Sequence, residues 1–483
     1  MKEGLVEVVV NADPVLIVGA GVAGGVVADI LNQNISNEYA PVGFVDDDTD
    51  KQGLVLHGLP VLGTRREIPE LVSRYDVRQI IIAIPSAPVR VIYSLVDICQ
   101  QSKVRLKILP RFYDVITGKV KTSQIRAVEV NDLLDREPVS LNVELIAGFL
   151  KGQVVLVTGA GGTIGSELCR QMAGFAPGRL ILLGRGESSI YTTELGLKEQ
   201  FPHLEICPVI GDIRDLARMR RVFHEHRPRF VFHTAAHKHV PYMELCPDEA
   251  IKNNILGTKN VAEVAYSAGT GTFVLVSSDK AVNPSSVMGA TKRVAEMMVQ
   301  NMNRRDGTRF VAVRFGNVLG SRGSVVPLFT RQISRGGPVT ITHPEMVRYF
   351  MTSTEAAQLV IQAGVQARGG EIFILDMGRP VKVLELARKL IQLSGFAPDK
   401  DIPVIFTGIR PGEKLVEQLV GEEETIHPTF HRRIFTVTKL DHDYAPVERL
   451  LQKIEEPGFS FNDSEVIALL QRVFPHFKQQ RRE

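Results

Sequence analysis

Short apolar runs followed by glycine-rich turns and helix-like stretches recur along the chain. Val15–Val18 precedes Gly19–Gly24, and Val154–Val157 precedes Thr158–Gly165. Similar apolar runs that we interpret as strands are Val42–Val45, Gln79–Ile84, Leu180–Leu183, Phe230–His233, Phe273–Ser277 and Phe310–Arg314. Apolar strands that alternate with helical stretches are typical of parallel α/β sheets. The pattern therefore predicts an α/β protein with two tandem Rossmann-like domains, each a doubly wound parallel sheet.

The rhythm of this pattern also predicts domain boundaries. Residues 1–130 form the predicted first domain, and the charged stretch 131–150, which contains Pro138, is a predicted linker. Residues 151–483 form the second domain, with a smaller substrate-binding lobe mainly in 315–440, where the pattern becomes irregular and rich in Gly and Pro. Apolar positions with helical spacing predict C-terminal helices in 441–483.

Composition narrows the class of protein. The chain has 483 residues, 44% of them apolar, and a net charge of +3, which gives no reason to expect nucleic-acid binding. Its four cysteines are widely spaced, so we expect neither disulfides nor a zinc site. No apolar run approaches the roughly 18 to 20 residues of a membrane helix. We expect a cytoplasmic protein, or a membrane-associated one if N-terminal helices have been removed.

The second glycine loop predicts a dinucleotide site. Gly159, Gly162 and Gly165 lie between a strand and a helix, where glycine lets the backbone approach a pyrophosphate at the helix N-terminus. Asp212 follows a later apolar strand, where its carboxylate could meet an adenine amine. A tight turn without a ligand is the alternative interpretation, which this context disfavours.

The first loop leaves two interpretations open. Gly19, Gly21 and Gly24 fit the dinucleotide pattern, and Asp46 lies near the position of a ribose-binding acid. Nothing around this loop suggests catalysis. It either holds a nucleotide or is a relic turn.

Arg185 bears on the choice between NAD and NADP. The second strand of the second domain ends in Gly184, where an acid would bind the ribose 2′-hydroxyl and repel a 2′-phosphate. Arg185 could pair with that phosphate, or could be a surface residue. Glu187 could bind a ribose hydroxyl or neutralise Arg185. The cofactor is therefore NAD+ or NADP+, and Arg185 leads us to expect that NADP+ is accepted as well as NAD+.

Several motifs resemble those of a known enzyme family. They are Thr158–Glu167, His233–Pro241, Ser277–Pro284, Arg314–Pro327 and Arg410–Lys414, with Gly43–Asp47 and Ile82–Pro85 in the first domain. The chain resembles the extended short-chain dehydrogenase/reductase superfamily and, within it, the bacterial polysaccharide-biosynthesis 4,6-dehydratases that act on UDP-N-acetylglucosamine. Met288 stands four residues before Lys292, where the superfamily normally has the Tyr of a Tyr-x-x-x-Lys pair. The long-chain branch of these dehydratases also has Met at this position.

The resemblance implies a retaining dehydratase for surface glycans, active as a homo-oligomer, with a tightly bound and recycled nicotinamide cofactor. Asp279 and Lys280 follow a predicted strand and supply an acid–base pair. We assign Asp279 as the acid for the C6 oxygen and Lys280 as the C5 base, with a pKa lowered by burial or by Lys292. Ser278 would bind the 4-oxygen, Lys292 would hold the nicotinamide ribose, and Met288 would replace the usual Tyr.

The resemblance also implies two sets of binding residues. The cofactor would contact Gly159, Gly162, Thr163, Ile164, Gly165, Arg185, Glu187, Asp212, Ile213, Ala235, Lys292 and Val318. The UDP-sugar would contact Lys238, Ser277, Ser278, Asn317, Gly323, Ser324, Val325, Val326, Pro327, Arg348, Arg410 and Glu413. Arg322, by contrast, could be a surface residue.

Two other functions remain open. A UDP-sugar 4-epimerase has the same fold but needs no C5 base, so the Asp279-Lys280 pair argues against it. An inert nucleotide-sensing scaffold would explain Met288, because a thioether transfers no proton. His233, His237 and His239 suggest a metal, but no acid stands at a matching spacing, and we predict no metal site.

Overall fold

The computed structural model describes residues 12–32, 39–85, 87, 89–102, 104–109, 125–128, 132, 139–303, 307–439 and 443–477. The chain divides into two compact units. Unit 1 comprises Met1–Asp135, Thr330–Val339 and Glu385–Val404, and unit 2 comprises Arg136–Phe329, Thr340–Leu384 and Ile405–Glu483.

Unit 1 contains a twisted sheet whose strands follow the apolar runs of the first domain. Its strands are β1 Asp13–Val18, β2 Tyr39–Val45, β3 Val55–Leu56, β4 Leu59–Gly63, β5 Gln79–Ile82, β6 Arg105–Ile108 and β7 Arg126–Ala127. Its helices in this part of the chain are α1 Val22–Asn32, α2 Ile68–Tyr75 and α3 Val89–Ser102. Among the described residues the strand order is β3-β4-β2-β1-β5-β6-β7, parallel except for the edge strands β3 and β7.

The remaining elements lie from residue 143 onward. The helices are α4 Val143–Leu150, α5 Thr163–Ala173, α6 Glu187–Gln200, α7 Leu216–His226, α8 Val240–Leu245, α9 Pro247–Ala250, α10 Thr258–Ser267, α11 Val287–Met302, α12 Val325–Ile333, α13 Ser353–Val365, α14 Val383–Leu393, α15 Ala445–Glu455 and α16 Asp463–Val473, with a π-helical segment at Ile251–Gly257. The strands are β8 Val154–Thr158, β9 Arg179–Gly184, β10 Ile206–Ile210, β11 Phe230–His233, β12 Thr272–Val276, β13 Arg309–Arg314, β14 Asn317–Val318, β15 Val339–Ile341, β16 Val347–Arg348, β17 Phe350–Met351, β18 Ile372–Leu375, β19 Val381–Lys382, β20 Val404–Phe406, β21 Glu424–Pro428 and β22 Ile434–Lys439.

The main sheet of unit 2 has the order β10-β9-β8-β11-β12-β13-β18-β22-β21. The first seven of these strands are parallel, and β22 and β21 add an antiparallel edge. The order reverses between β8 and β11, which is where open α/β sheets bind ligands. The predicted α/β class with two Rossmann-like sheets is confirmed.

Side chains of the central strands alternate between two apolar layers. On β8, Val155 and Val157 belong to one core cluster and Leu156 belongs to the other, and all three are fully buried. Leu168 of α5 covers the first face, and Phe223 of α7 covers the second. Burial on both faces explains why these strands are continuous apolar runs.

Two features of the structure lie at the predicted linker and the predicted lobe. Val143–Leu150, at the end of the predicted linker, is a helix whose Asn142 accepts a hydrogen bond from the Leu145 amide and whose Ile146 and Leu150 are fully buried. Within the predicted lobe at 315–440, strands β18, β21 and β22 belong to the main sheet. Of the predicted linker, residues 131 and 133–138 lie outside the described residues.

The described part of the chain holds no helix with the length and apolar character needed to span a bilayer.

Candidate active site

Asp279 lies immediately beyond the carboxyl end of β12. Ser278 caps a short 3₁₀ helix, Asp279–Ala281, and the Asp279 amide donates to the Phe315 carbonyl at 3.1 Å. The carboxylate is fully buried, and a side chain at Gly316 would come within 3.2 Å of its Oδ2. Gly316 therefore leaves the space that this carboxylate occupies.

A buried ion cluster surrounds Lys280. Its Nζ donates to Asp279 Oδ1 at 3.0 Å and lies 3.6 Å from Glu417 Oε1. Ser278 Oγ donates to the same Oδ1 at 2.9 Å. Asp279 Oδ2 and Glu417 Oε2 are both buried without a hydrogen-bond partner among the described residues. Each carboxylate therefore keeps one oxygen available for a further donor.

The expectation of a lowered pKa at Lys280 is wrong. Burial works against the ammonium form, but attraction to Asp279 and then to Glu417 outweighs burial and the repulsion of Arg348, and raises the pKa. The sequence places Asp279 beside Lys280 but gives no sign of Glu417, which lies 137 positions further along the chain.

A turn from the C-terminal part of unit 2 brings Glu417 to this cluster. Two hydrogen bonds close the turn Arg410–Glu413. The Glu413 amide donates to the Arg410 carbonyl at 3.1 Å, and the Arg410 amide donates to Glu413 Oε2 at 3.2 Å. Ser285 Oγ donates to the Gly412 carbonyl at 3.1 Å, and Lys414 Nζ donates to the Val282 carbonyl at 2.8 Å. The predicted residues Arg410 and Glu413 therefore lie over the segment that comes after Asp279 and Lys280.

Arg348 is held beside the same turn. It is buried, and its Nη1 donates to the carbonyls of Val347 at 2.7 Å and Leu415 at 3.1 Å, while Nη2 lies 3.9 Å from Glu417 Oε1. Its guanidinium is thus directed to backbone carbonyls and to Glu417.

Helix α11 carries both Met288 and Lys292. Ser286 caps its N-terminus by accepting from the Gly289 amide. Met288 is buried in an apolar cluster with neighbours such as Val240 and Ala290. Lys292 Nζ donates to the Val276 carbonyl at 2.6 Å, and burial lowers its pKa to about 8 against the attraction of Glu296. Lys292 is therefore anchored at the end of β12, one residue before Ser277.

Ser277 belongs to a buried ionic network that the sequence did not reveal. Its Oγ donates to Glu296 Oε1 at 2.6 Å, so this hydroxyl faces Glu296 rather than a free substrate site. Arg314 forms paired hydrogen bonds with Glu296 and with Glu424, at 2.7 to 2.9 Å. Burial opposes ionisation of Glu296, but Arg314 and Arg293 lower its pKa to about 2.

Asn254 is another residue that sequence reasoning missed. It lies in the π-helical segment, and its Oδ1 accepts from the His237 amide at 2.8 Å. Its Nδ2 donates to the His237 carbonyl and to Thr291 Oγ1 at 3.0 and 3.1 Å. π-Helical turns are rare and are frequent at functional sites, which is the signal that only the structure provides.

The glycine loop of unit 2 has the form of a dinucleotide cradle. Gly159 has a φ of +68°, and a side chain there would come within 2.8 Å of the Ala235 amide. A side chain at Gly165 would collide with the Gly159 carbonyl. Helix α5 begins at Thr163 with no side-chain cap, which leaves its N-terminus suited to a phosphate. The predicted contacts Thr163, Ile164 and Gly165 all lie in its first turn.

The loop at 316–327 contributes the predicted sugar-side residues. Asn317 donates its amide to the Tyr349 carbonyl, and its buried Oδ1 has no partner among the residues described. Ser324 Oγ is also buried and unpaired within the described part of the chain. Lys238 Nζ lies 3.4 Å from Ser321 Oγ. Val325, Val326 and Pro327 form the first turn of α12, while Val318 is buried in the core.

Two arginines flank the cofactor loop. Arg322 donates to the Gly161 carbonyl at 2.9 Å, so it is not only a surface residue. Arg185 is exposed, with Nη1 3.8 Å from Asp212 Oδ2. Asp212 is held on both oxygens by Arg214, which lowers its pKa, so its carboxylate is less free for adenine than the sequence suggested.

The remaining predicted residues have these positions. Glu187 is exposed in the first turn of α6, and the Ile213 side chain is buried against Gly257. A side chain at Gly323 would collide with the ring of His239. Although Lys238 is exposed as a residue, desolvation of its ammonium and the charge of Lys280 lower its pKa.

His233 has a structural environment. Its Nδ1 lies 2.7 Å from Thr158 Oγ1 and its Nε2 lies 3.0 Å from Thr258 Oγ1, so both ring nitrogens are engaged. Burial lowers its pKa to about 3. Among the described residues no group of three acidic, His or Cys side chains is arranged to hold a metal.

The strand order and the glycine loop define a Rossmann-fold protein with the form of a dinucleotide-binding unit. The family described as polysaccharide biosynthesis protein matches residues 155–439, and a family described as CoA-binding domain matches residues 7–110. The chain belongs to the polysaccharide biosynthesis protein family.

Individual relatives agree with this family. The chain is 48% identical over 442 residues to the probable polysaccharide biosynthesis protein EpsC of Bacillus subtilis, covering 91% of this chain and 74% of that protein. It is 34% identical over 281 residues to a UDP-N-acetylglucosamine 4,6-dehydratase (inverting) of Campylobacter jejuni, covering 57% and 79%. Other relatives bear the name UDP-glucose 4-epimerase. The crystal structure of Pen from Bacillus thuringiensis superimposes with a TM-score of 0.54 at 34% identity, covering 60% of this chain and 90% of that one.

Proposed function

We propose that this nucleotide-sugar-modifying enzyme is a retaining UDP-N-acetylglucosamine 4,6-dehydratase that supplies a 4-keto-6-deoxy sugar for surface glycans. The observation that carries the proposal is the Ser278–Asp279–Lys280 cluster at the carboxyl end of β12, with Lys292 anchored beside it. The relative from Campylobacter jejuni has the name of an inverting 4,6-dehydratase, so it supports dehydration of the sugar but not retention of configuration at C5.

The cofactor would be NAD+ or NADP+, held by the glycine loop Gly159–Gly165 and by Lys292. When bound, the cofactor would supply the acceptor for hydride from C4 of the sugar and the donor of hydride to C6, so no reduced cofactor should accumulate. The Gly165 position, where a side chain would collide with the Gly159 carbonyl, fits a loop that must pack closely under a pyrophosphate.

The proton of the 4-hydroxyl can leave through Ser278. Ser278 Oγ donates to Asp279 Oδ1 at 2.9 Å, so it can accept the substrate proton as it passes its own proton to Asp279. This transfer leaves a protonated carboxyl at Asp279, and C4 becomes a ketone only when its hydride also departs to the cofactor that would be bound there. Met288 takes no part, because a thioether carries no exchangeable proton.

Lys280 and Asp279 then complete the elimination. Neutral Lys280 removes the C5 proton, which the neighbouring ketone acidifies, and the electron pair forms the C5–C6 double bond. Protonated Asp279 gives its proton to the departing C6 hydroxyl, and water is released. Lys280 would finally return its proton to C5, with C6 reduced by the hydride taken from C4, so the balance is the loss of one water and both groups regain their starting states.

The test is incubation with UDP-N-acetylglucosamine in deuterated water. We expect a product that has lost one water and gained one deuterium, located at C5. Its C5 should keep the gluco configuration, and no net reduced cofactor should form. A new sugar of unchanged mass would establish a 4-epimerase instead. No turnover by a folded, cofactor-loaded protein would favour an inert nucleotide-binding scaffold.

A further inference from the structure

Lys280 must be neutral to accept a proton, yet it lies between two carboxylates. Its Nζ is 3.0 Å from Asp279 Oδ1 and 3.6 Å from Glu417 Oε1. Asp279 belongs to the proton relay of the proposed reaction, whereas Glu417 has no part in it. The presence of this second buried carboxylate therefore requires its own explanation.

Glu417 is held in place by the contacts of the three residues that precede it. Val416 pairs with Val347 in a β-bridge, and the Val347 amide donates to the Leu415 carbonyl at 3.0 Å. Lys414, three residues earlier, is tied to the Val282 carbonyl. The Glu417 residue is only 4% exposed, so its charge acts at short range and with little screening.

Other charges also reach Lys280. Arg348 lies beside Glu417, and Lys238 and Lys414 repel the Lys280 ammonium. Three cations thus surround the lysine, and Asp279 loses its negative charge when it takes up the 4-hydroxyl proton. At that stage Glu417 is the carboxylate that remains beside Nζ.

We propose that Glu417 is a positioning residue that orients Lys280 Nζ and strengthens it as the acceptor of the C5 proton. This inference rests on the proposed dehydration. A lysine that keeps a carboxylate partner binds the incoming proton more tightly, because the ammonium it becomes is paired. The consequence is that Lys280 is protonated at rest, and turnover rises with pH as its neutral fraction grows.

Direct labelling of Lys280 tests the pairing without reference to activity. Trace acetic anhydride reacts with neutral amines, and the Lys280 side chain is 21% exposed, so a small reagent can reach it. Acetylation of its peptide is measured by mass spectrometry relative to the exposed Lys151. We expect Glu417→Gln to raise Lys280 labelling about tenfold near pH 8.5. Removing one close opposite charge lowers the pKa of a lysine by about one unit, and the neutral fraction rises in proportion.

Matched variants separate charge from structure. Glu417→Asp keeps the charge, so Lys280 labelling should stay close to the wild-type value. Glu422→Gln removes an exposed charge from the same segment and should leave Lys280 labelling unchanged. Wild-type Lys280 should be less reactive than Lys151, a result that does not depend on any variant folding. The proposal is overturned if wild-type Lys280 is the more reactive of the two, or if a folded Glu417→Gln protein labels like wild type.

The pH profile of kcat links the pairing to the reaction. In Glu417→Gln the acidic limb should move about one pH unit lower, because the pKa of the group that must be neutral falls. An unmoved limb together with increased labelling would overturn the role of Glu417 in C5 proton transfer. If Lys280 is labelled as expected but the wild-type protein never dehydrates the sugar, the proposed function is refuted. The pairing of Lys280 with Glu417 is then still supported by the labelling.

Discussion

The glycine loops of the two units have the same backbone design but different surroundings. Gly19 and Gly159 both have positive φ, and a side chain at Gly24 or Gly165 would collide with the carbonyl of the first glycine in its own loop. The shared design reflects what a tight strand-to-helix turn requires. The loop alone therefore does not identify a catalytic unit.

The surroundings separate the two loops. In unit 1, Asp46 accepts from the Ala20 amide at 2.8 Å, from the Asp48 amide at 3.0 Å and from Lys51 at 3.1 Å. Burial disfavours the ionised carboxylate of Asp46, but these hydrogen-bond donors outweigh burial and lower the pKa of Asp46. The carboxylate is thus used to hold its own loop, which favours the interpretation of a structural turn over a ribose site.

Unit 2 instead places reactive groups at the ends of its central strands. Asp279 and Lys280 lie just after β12, and Glu296 and Arg314 support that strand end through Ser277. Parallel strands bring their carboxyl ends to one edge, where a ligand can reach them. The comparison teaches that the proposed chemistry is distinguished by the side chains at these strand ends, since the glycine loops of the two units share one design.

The largest expected effect comes from the acid–base pair. Asp279→Asn or Lys280→Ala should lower turnover by about 10²- to 10⁴-fold, because each removes a proton-transfer group. Binding of UDP-N-acetylglucosamine, measured by calorimetry, should be nearly unchanged. The matched change in unit 1, Asp46→Asn, should leave turnover near wild type. Near-normal rates in either unit 2 variant would refute the assigned role.

The two loops can be compared directly by adding a methyl group to each. Gly165→Ala should reduce turnover and retained cofactor by about a hundredfold, since displacing a positioning loop by about 1 Å has effects of that size. Gly24→Ala should destabilise unit 1 by about 1 to 3 kcal/mol through the equivalent collision. It should leave cofactor content intact. Cofactor released on denaturation and thermal melting measure both effects, and loss of cofactor in Gly24→Ala would show that the first loop binds it.

Arg185 offers a smaller effect confined to cofactor choice. We expect Arg185→Ala to weaken NADP binding about tenfold, which corresponds to about 1.4 kcal/mol, by removing a cation that can pair with the 2′-phosphate. NAD binding should be unchanged. The affinity of the cofactor-free protein for each nucleotide measures this. Equal NADP affinity in the wild-type protein and in Arg185→Ala would show that Arg185 is a surface residue that does not contact the 2′-phosphate.

The smallest effect should come from Met288. Met288→Leu conserves volume in the apolar cluster at α11, so it should cost less than about 1.5 kcal/mol in the free energy of unfolding. Turnover should remain substantial, because no proton passes through this side chain. A rate reduced by several powers of ten in a protein that melts normally would place the chemistry at Met288 after all.

Several features were determined by the sequence itself. Apolar runs buried on both faces specify their own strands, so β8, β9, β11 and β13 agree with prediction within one or two residues. The glycine spacing specifies its loop, because only glycine accepts those close backbone contacts. The adjacency of Asp279 and Lys280 after an apolar run, together with the family resemblance, made them the candidate acid–base pair, and both lie just beyond β12.

The tertiary structure alone decided the electrostatic state of that pair. Asp279 and then Glu417, which reaches Lys280 from a distant segment through a β-bridge and a turn, raise the pKa of Lys280 that was expected to be lowered. Asn254 and Glu296 were equally invisible, since their partners are far away in sequence. Local patterns encode periodicity and turns, whereas Coulomb interactions depend on distances in space, which only the folded chain establishes.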